Sequence, residues 1–393
     1  MKKKILLIIL VLLISGCKFY DEYKMPKEVY INLNDNIYEI YSKATINDLI
    51  KDTNAKILNK NENIKTNKIG THKTTIKYKH KNRDYKYDIE YKIKDLSAPT
   101  ILYAPSYRSS ITGYNLSFCD ITRYIDNYDR KPKCEVIGNY DYNKEGTYYL
   151  KYVFTDKYNN KAEKDFTYEV MDEDDNDYNN YNDDYEENIY FHDLIKNYKN
   201  KDTMVGIDVS SWQGDIDFDK VKKAGCEFVI IRAAVTVGEK QEIEEDLSFK
   251  EYYKNAKKAG LKIGTYVYTE AKTKDEVKTQ AKFVKKLLKN YKFDFPVAYD
   301  FENWGEIMDY HINKHDLLTF VNEFKNTLER DVMIYGSMYY LDKVWEKDDY
   351  PIWLAHYTNK TDYSGDYILW QITNTGVIDG IYGNVDFDIY YKK

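Results

Sequence analysis

Apolar and polar positions along this chain follow three different patterns. The first is an uninterrupted apolar run, Ile5 to Ile14, behind the basic start Met1-Lys2-Lys3-Lys4. Such a run is too short for a comfortable membrane span and predicts the core of a signal peptide. The second pattern has period two. Thr74-Thr75-Ile76-Lys77-Tyr78-Lys79 and Tyr85-Lys86-Tyr87-Asp88-Ile89-Glu90-Tyr91-Lys92-Ile93 alternate apolar or aromatic with polar residues, with Asn82-Arg83-Asp84 as the turn between them. This predicts half-buried strands. The theme returns at Gly146 to Asp156, followed by a turn at Lys157-Tyr158-Asn159-Asn160 and a strand from Asp165 to Met171. Gly70-Thr71-His72 and Gly146-Thr147-Tyr148 open hairpins of similar length, which end near Asp95 and Asp172. The repeat predicts two small all-β sandwich modules in tandem, over 28–95 and 96–172.

The third pattern starts at about Asp202, where short apolar runs alternate with helical stretches. Val205–Val209, Phe228–Ala233, Ile263–Tyr268, Pro296–Phe301 and Val332–Tyr335 read as strands, with Tyr367–Gln371 and Asn384–Phe387 near the end. Phe218–Ala224, Asp246–Ala259, Lys274–Leu288 and Lys314–Arg330 read as the helices between them. Repeated strand–helix units predict an α/β domain over 202–393 with a parallel sheet closed into a barrel. Roughly 190 residues is short for a full eightfold barrel, so some helices should be missing or reduced. Between the modules and the barrel, 173–201 reads as a linker. Asp172 to Asn188 is dominated by Asp, Glu, Asn and Tyr without Lys or Arg, so like charges repel and little can be buried.

Composition narrows the function classes. A net charge of -6 offers no general basic field for nucleic acid. Only four cysteines are present. Cys17 follows Ile14-Ser15-Gly16 directly after the apolar run, which resembles a bacterial lipobox, whose Cys becomes the lipidated first residue of the mature chain. The resemblance implies a protein outside the cytoplasm, anchored to a bacterial membrane by an N-terminal lipid; the alternative is an ordinary cleaved signal peptide with an incidental Cys. Export permits a disulfide, and Cys119 and Cys134 share a module in which they can pair. Cys226 reads as a small buried hydrophobe. Asp174-Asp175-Asn176-Asp177 lacks the glycine and distal Glu of a calcium loop. His311 and His315 are four apart, but Ile312 stands where a zinc protease motif needs Glu. No Ser-His-Asp arrangement or phosphate-binding glycine loop is present, so neither a metal nor a cofactor is expected.

The candidate chemistry centres on Pro296-Val297-Ala298-Tyr299-Asp300-Phe301-Glu302-Asn303. Residues i and i+2 of a strand share one face, and the C-terminal strand ends of a parallel barrel form its active-site face. Asp300 and Glu302 are therefore expected to point together into one cleft. Paired carboxyls push their titrations apart, which supplies the proton donor and the negative group that cleavage of a glycosidic bond requires. Spacing alone does not separate this pair from surface acids in a chain with 32% charged residues. Context does. Asp208 lies on the first strand and Asp386 on the last, and those strands are neighbours in a closed barrel.

Taken in order, several segments resemble glycoside hydrolase family 25, the lysozyme (muramidase) family. They are Gly206-Ile207-Asp208-Val209-Ser210 with Trp212-Gln213-Gly214; Phe228 to Arg232; Ala259 to Tyr266; Asp300-Phe301-Glu302; Ile334-Tyr335; Ile352-Trp353-Leu354-Ala355 with Tyr357; Trp370-Gln371; and Val385-Asp386. The resemblance implies a flattened, TIM-like α/β barrel with reduced helices. It also implies hydrolysis of the β-1,4 bond between N-acetylmuramic acid and N-acetylglucosamine in peptidoglycan glycan strands. By motif, Glu302 is the general acid/base and Asp300 the second catalytic carboxylate, either as nucleophile or in support of the substrate's own acetamido group. Asp208 and Asp386 support electrostatics and substrate position. Tyr266, Tyr335, Trp353, Tyr357 and Trp370 are candidates for the groove wall, about half of them expected to touch substrate, and Arg232 either lines the groove or holds carboxylate geometry. Three features depart from the family pattern: Ala233 to Lys240 after the second strand, Tyr266-Val267-Tyr268 for Tyr-His-Phe, and Asp388 for a common Asn. Upstream, Asp95-Leu96-Ser97-Ala98-Pro99-Thr100-Ile101 with Tyr152 to Asp156 resembles bacterial immunoglobulin-like surface domains, which implies a spacer or adhesion role for both modules. The rival to an enzyme is a surface-anchored protein that binds cell wall without turnover. It would be favoured by a missing carboxylate, and none is missing.

Overall fold

The computed structural model describes residues 25–172, 188–238, 242–305 and 307–392. The expected signal peptide over 1–17, with Cys17, lies outside the described residues, as do residues 173–187 of the expected linker. Among the described residues no helix is long and apolar enough to cross a membrane. The chain divides into two compact units, one up to Ser97 and one from Ala98 onward.

The first unit is β-rich. Its central hairpin pairs Gly70–His80 with Arg83–Lys94, and Ile37–Glu39 and Lys56–Ile57 flank it in a four-stranded sheet. Alternation buries Ile76, Tyr78, Ile89, Tyr91 and Ile93 on one face. His80 pairs with Arg83, so the turn is Lys81-Asn82, one to two residues before the expected Asn82-Arg83-Asp84. Both turn residues have positive φ, 44° and 63°. A two-residue hairpin turn needs that twist, and Asn tolerates it.

The second unit opens with another β-rich segment. A four-stranded sheet runs in the order Lys133–Ile137, Gly146–Thr155, Lys161–Met171, Tyr107–Ile111, and a two-stranded sheet joins Thr100–Tyr103 to Arg123–Ile125. Phe118, Tyr124, Tyr152, Phe154, Phe166 and Tyr168 fill its core. Cys119 and Cys134 are joined by a disulfide.

Residues from Ile189 onward build a closed eight-stranded barrel. Its strands are β1 (Thr203–Val209), β2 (Phe228–Val237), β3 (Lys262–Thr269), β4 (Val297–Phe301), β5 (Val332–Ser337), β6 (Ile352–Ala355), β7 (Leu369–Val377) and β8 (Val385–Tyr391). Neighbours from β1 to β7 run parallel. The expected all-parallel sheet fails at the end: β8 pairs antiparallel with both β7 and β1, which closes the barrel. Residues 378–384 are too few for a crossover helix, so β8 returns as a hairpin strand. Among the described residues, helices follow β1 to β5, and none lies between β6 and β7 or between β7 and β8. Barrel packing starts before residue 202. Ile189–Tyr190 pairs with β7, and the helix Phe191–Tyr198 buries Phe191 and Leu194, because apolar residues three apart share a helix face.

Period-two alternation sorts the strand residues into two cores. One set, including Ile207, Ile231, Val297, Tyr299, Ile334 and Leu354, packs with the helices. The other, including Met204, Phe228, Ile230, Ala298, Met333 and Trp353, packs together inside the barrel as an apolar floor. Residues further along the same inward phase are Asp208, Arg232, Tyr266, Asp300, Tyr335 and Gln371, and they place polar groups above that floor.

Candidate active site

Strand β4 is buried throughout, and the chain leaves the barrel at Glu302. Asp300 is therefore buried, while Glu302 reaches the solvent-facing mouth. Their carboxyl groups are in hydrogen-bonding contact. Burial raises both titrations, and for Asp300 the nearby charges of Glu302 and Asp208 add to it, against the opposing pull of Arg232. A carboxyl–carboxylate contact is stable only with a proton between its members, so the pair holds one proton well above the usual carboxylate range.

Asp208 and Asp386 stand directly opposite each other on β1 and β8. Because β8 is antiparallel, its first residues lie at the end where β1 finishes, which brings Asp386 to the mouth. Burial raises Asp386 to about 8, with Asp208 and Glu302 contributing as like charges. Asp208 is fully enclosed and accepts a hydrogen bond from Gln371 Nε2 at 2.8 Å. Gln371 Oε1 accepts in turn from Tyr335 Oη at 2.9 Å and Tyr357 Oη at 3.1 Å. This chain of donors fixes the amide orientation of Gln371 and ties β1 to the opposite wall. Arg232 Nε donates to Asp246 Oδ2 at 2.8 Å, and its Nη2 to Ser211 Oγ at 3.2 Å. Asp246 is a buried counter-charge that also accepts from the backbone of Ser211 and Ser248.

A cleft of about 360 Å³ opens beside Glu302, with Tyr335, Tyr357, Trp304, Tyr340 and Met338 among its walls. Trp304 and Tyr340 stack face to face at 4.0 Å. The arrangement offers a proton donor at the mouth, a second carboxyl behind it and flat apolar walls alongside. That is the equipment for protonating and cleaving a glycosidic bond between rings that pack on aromatic faces.

Residues 207–381 match the family model described as glycosyl hydrolases family 25. The uncharacterized protein YegX of Escherichia coli O157:H7 is 30% identical over 196 residues, covering 48% of this chain and 70% of that protein. The chain belongs to glycosyl hydrolase family 25. It is also 30% identical over 201 residues to the autolytic lysozyme of Clostridium acetobutylicum, covering 47% of this chain and 55% of that protein, so it spans about half of that relative's length. A bacterial lysozyme structure from Streptomyces coelicolor shares 26% identity over 49% of this chain and 93% of that chain, with a TM-score of 0.40.

Within the family-25 domain, the structure brings Asp208, Asp300, Glu302, Asp386, Tyr266, Tyr335 and Tyr357 around one mouth. Two expected groove aromatics lie elsewhere. Trp353 is 1% exposed in the barrel floor, edge-on to Tyr266 and Tyr335, and its indole donates inward to Asp388. Trp370 is 3% exposed and packs outward, because it alternates with the inward Gln371, and its Nε1 donates to the His356 carbonyl. Neither face is open to a sugar. Arg232 holds geometry: its guanidinium is taken up by Asp246 and Ser211. The sequence reading missed Gln371, Asp246, Trp304 and Tyr340 as site residues. Gln371 stood in a quoted motif and had a signal, being a polar residue in phase with the strand's inward face. Asp246 had none, since its role depends on a long-range pairing. Trp212 and Tyr382 are 84% and 98% exposed. Both lie at the same rim, one just after β1 and one just before β8.

Proposed function

We propose that this protein is a peptidoglycan hydrolase that cleaves the β-1,4 bond between N-acetylmuramic acid and N-acetylglucosamine. The observation that carries the reading is the Asp300–Glu302 carboxyl pair, both raised in titration by burial, at the mouth of a closed family-25 barrel. The similarity to an autolytic lysozyme supports the same substrate class. In this reading Glu302, at the solvent-facing edge, gives its proton to the glycosidic oxygen as the C–O bond breaks. Asp300, then ionised behind it, faces the positive charge that grows at the anomeric carbon. Glu302 afterwards takes a proton from the water that completes hydrolysis. Asp208 and Asp386 hold the field and the sugar position, and Tyr335, Tyr357, Trp304 and Tyr340 form the groove wall.

Upstream, the two β-rich segments act in this reading as immunoglobulin-like spacers. Cys17 carries a lipid that holds the enzyme at the outer face of a bacterial membrane, with the barrel facing the wall. The catalytic claim is tested by reducing-end release from purified peptidoglycan. Wild type is expected to release ends steadily and Glu302→Gln to be slower by on the order of 10²–10⁴-fold. Equal release by the two proteins, or none by either, contradicts it. For the anchor, Cys17→Ala is expected to move the protein from the membrane fraction to the soluble one, and an unchanged distribution contradicts it.

A further inference from the structure

Asp388 is fully buried in β8, two residues beyond Asp386 and therefore one layer deeper on the same strand face. Across the sheet it pairs with Gly206 of β1 and Gln371 of β7. Trp353 Nε1 donates to its Oδ1 at 2.8 Å. Its Oδ2 is buried and meets no amide, ring or hydroxyl donor. The carboxyl of Asp208 is in hydrogen-bonding contact with this side chain. Two buried carboxyls thus touch beneath the catalytic pair, and the hydrogen bond between them exists only if one keeps a proton.

The remaining contacts decide which one. Asp388 has an indole N–H fixed on it, a donor that stabilises the anion. Asp208 likewise has one neutral donor, the Gln371 amide, and differs in facing the charge of Glu302 as well as that of Asp388. Asp386, on the same strand, repels both. Tyr266 on β3, Tyr335 on β5 and Tyr357 after β6 face Asp208 as neutral phenols held so by burial. Cys226, just before β2, faces Asp388 as a neutral thiol, pushed up to about 12 by burial. The guanidinium of Arg232 on β2 is engaged with Asp246 and Ser211.

We propose that Asp388 is a positioning residue that carries the fixed negative charge of the inner site, while Asp208 stays protonated and donates its hydrogen bond to Asp388. A common Asn at position 388 would leave that charge on Asp208 itself. In this chain it sits one layer deeper, further from Glu302, and Asp208 stands behind the catalytic pair as a neutral group.

The inference rests on the hydrolase reading for its kinetic test but not for its spectroscopic one. With the full chain on purified peptidoglycan, the alkaline limb of the kcat/KM profile reports the proton on the Asp300–Glu302 pair. In Asp388→Asn the new amide can accept from Trp353 and donate to Asp208, which then ionises. The charge moves toward Glu302, and the limb is expected to rise by about half a pH unit or more. In Asp208→Asn the amide imitates the protonated carboxyl, so the limb is expected to coincide with that of wild type whatever the change in kcat. A limb unmoved in Asp388→Asn but lowered in Asp208→Asn would place the proton on Asp388. A limb lowered in both would mean that both groups are ionised. Either result overturns the proposal. The second readout needs no turnover: with ¹³Cγ-labelled aspartate, the resonance lost in Asp208→Asn is expected at a protonated shift at pH 6, and an ionised shift there overturns the proposal. A wild type without hydrolysis but with that protonated resonance would sink the hydrolase reading and leave this one standing. Asp388→Asn alone suffices to assign the pair, and Asp208→Asn alone to overturn or sustain the proposal, should the other not fold.

Discussion

At the scale of single residues, the barrel gathers several carboxyl groups away from water, and burial is the dominant cause of their raised titrations. Asp208, Asp300, Asp386 and Asp388 all shift upward. The sign of the consequence for stability follows from linkage. Between the unfolded aspartate value near 4 and the folded value of about 8 for Asp386, the folded state binds more protons than the unfolded one. Stability is therefore greatest at the acid end of that window and falls as pH rises through it. The melting temperature is expected to be higher at pH 5 than at pH 8, and Asp386→Asn is expected to flatten the slope. A melting temperature that rises over that interval would contradict the assignment. Exposed Trp212 belongs to the same scale. On the rim after β1 it is placed to stack on a sugar ring, so Trp212→Ala is expected to raise KM several-fold with kcat nearly unchanged, read from peptidoglycan turnover curves.

At the scale of elements, alternation along the strands places the chemistry. Each inward position is either floor or site: Met204, Gly206 and Asp208 on β1, then Ala298 and Asp300 on β4 with Glu302 just beyond it. Gly206 shows how tight the layering is. A Cβ there would meet the Phe228 ring at 2.6 Å and the Phe228 carbonyl oxygen at 2.5 Å. Gly206→Ala is therefore expected to destabilise the barrel by about 1–3 kcal/mol, measured by denaturant unfolding. This layering was largely legible in the sequence, because period two and strand–helix alternation are local signals. Asp300 and Glu302 could be placed at a strand end from Pro296–Phe301 alone. The orientation of β8 was not legible in the same way, since a strand's direction depends on the length of the connection before it and on the partner it finds. Trp353 and Trp370 failed as groove residues for a related reason. An aromatic at a strand end reads the same whether its phase is floor, outer wall or cleft, and only the closed sheet fixes which. Buried partners such as Asp246 come from pairings that no local window contains.

At the scale of the second unit, the β-rich segment of residues 98–172 grips the stretch that follows β4. Met308 packs against the cores of both the barrel and that segment, and its sulfur accepts from the Tyr124 backbone N–H. Asn313 Nδ2 donates to the Tyr128 carbonyl, Lys314 N–H to the Asp126 carbonyl, and Arg130 pairs with Asp316 at 2.6 Å. The exposed ion pair contributes little, and the half-buried thioether and backbone bonds contribute more. Segment and barrel are thus expected to unfold in one calorimetric transition, and Met308→Asp to split it in two. Two transitions in the wild type would contradict the coupling. The central claim, however, concerns the bond that is cut. It is tested most directly by borohydride reduction and mass analysis of the products released from purified peptidoglycan. The account predicts reduced N-acetylmuramic acid at the new ends in wild-type digests and its loss in Glu302→Gln. Reduced N-acetylglucosamine at those ends, or no new ends at all, would contradict it.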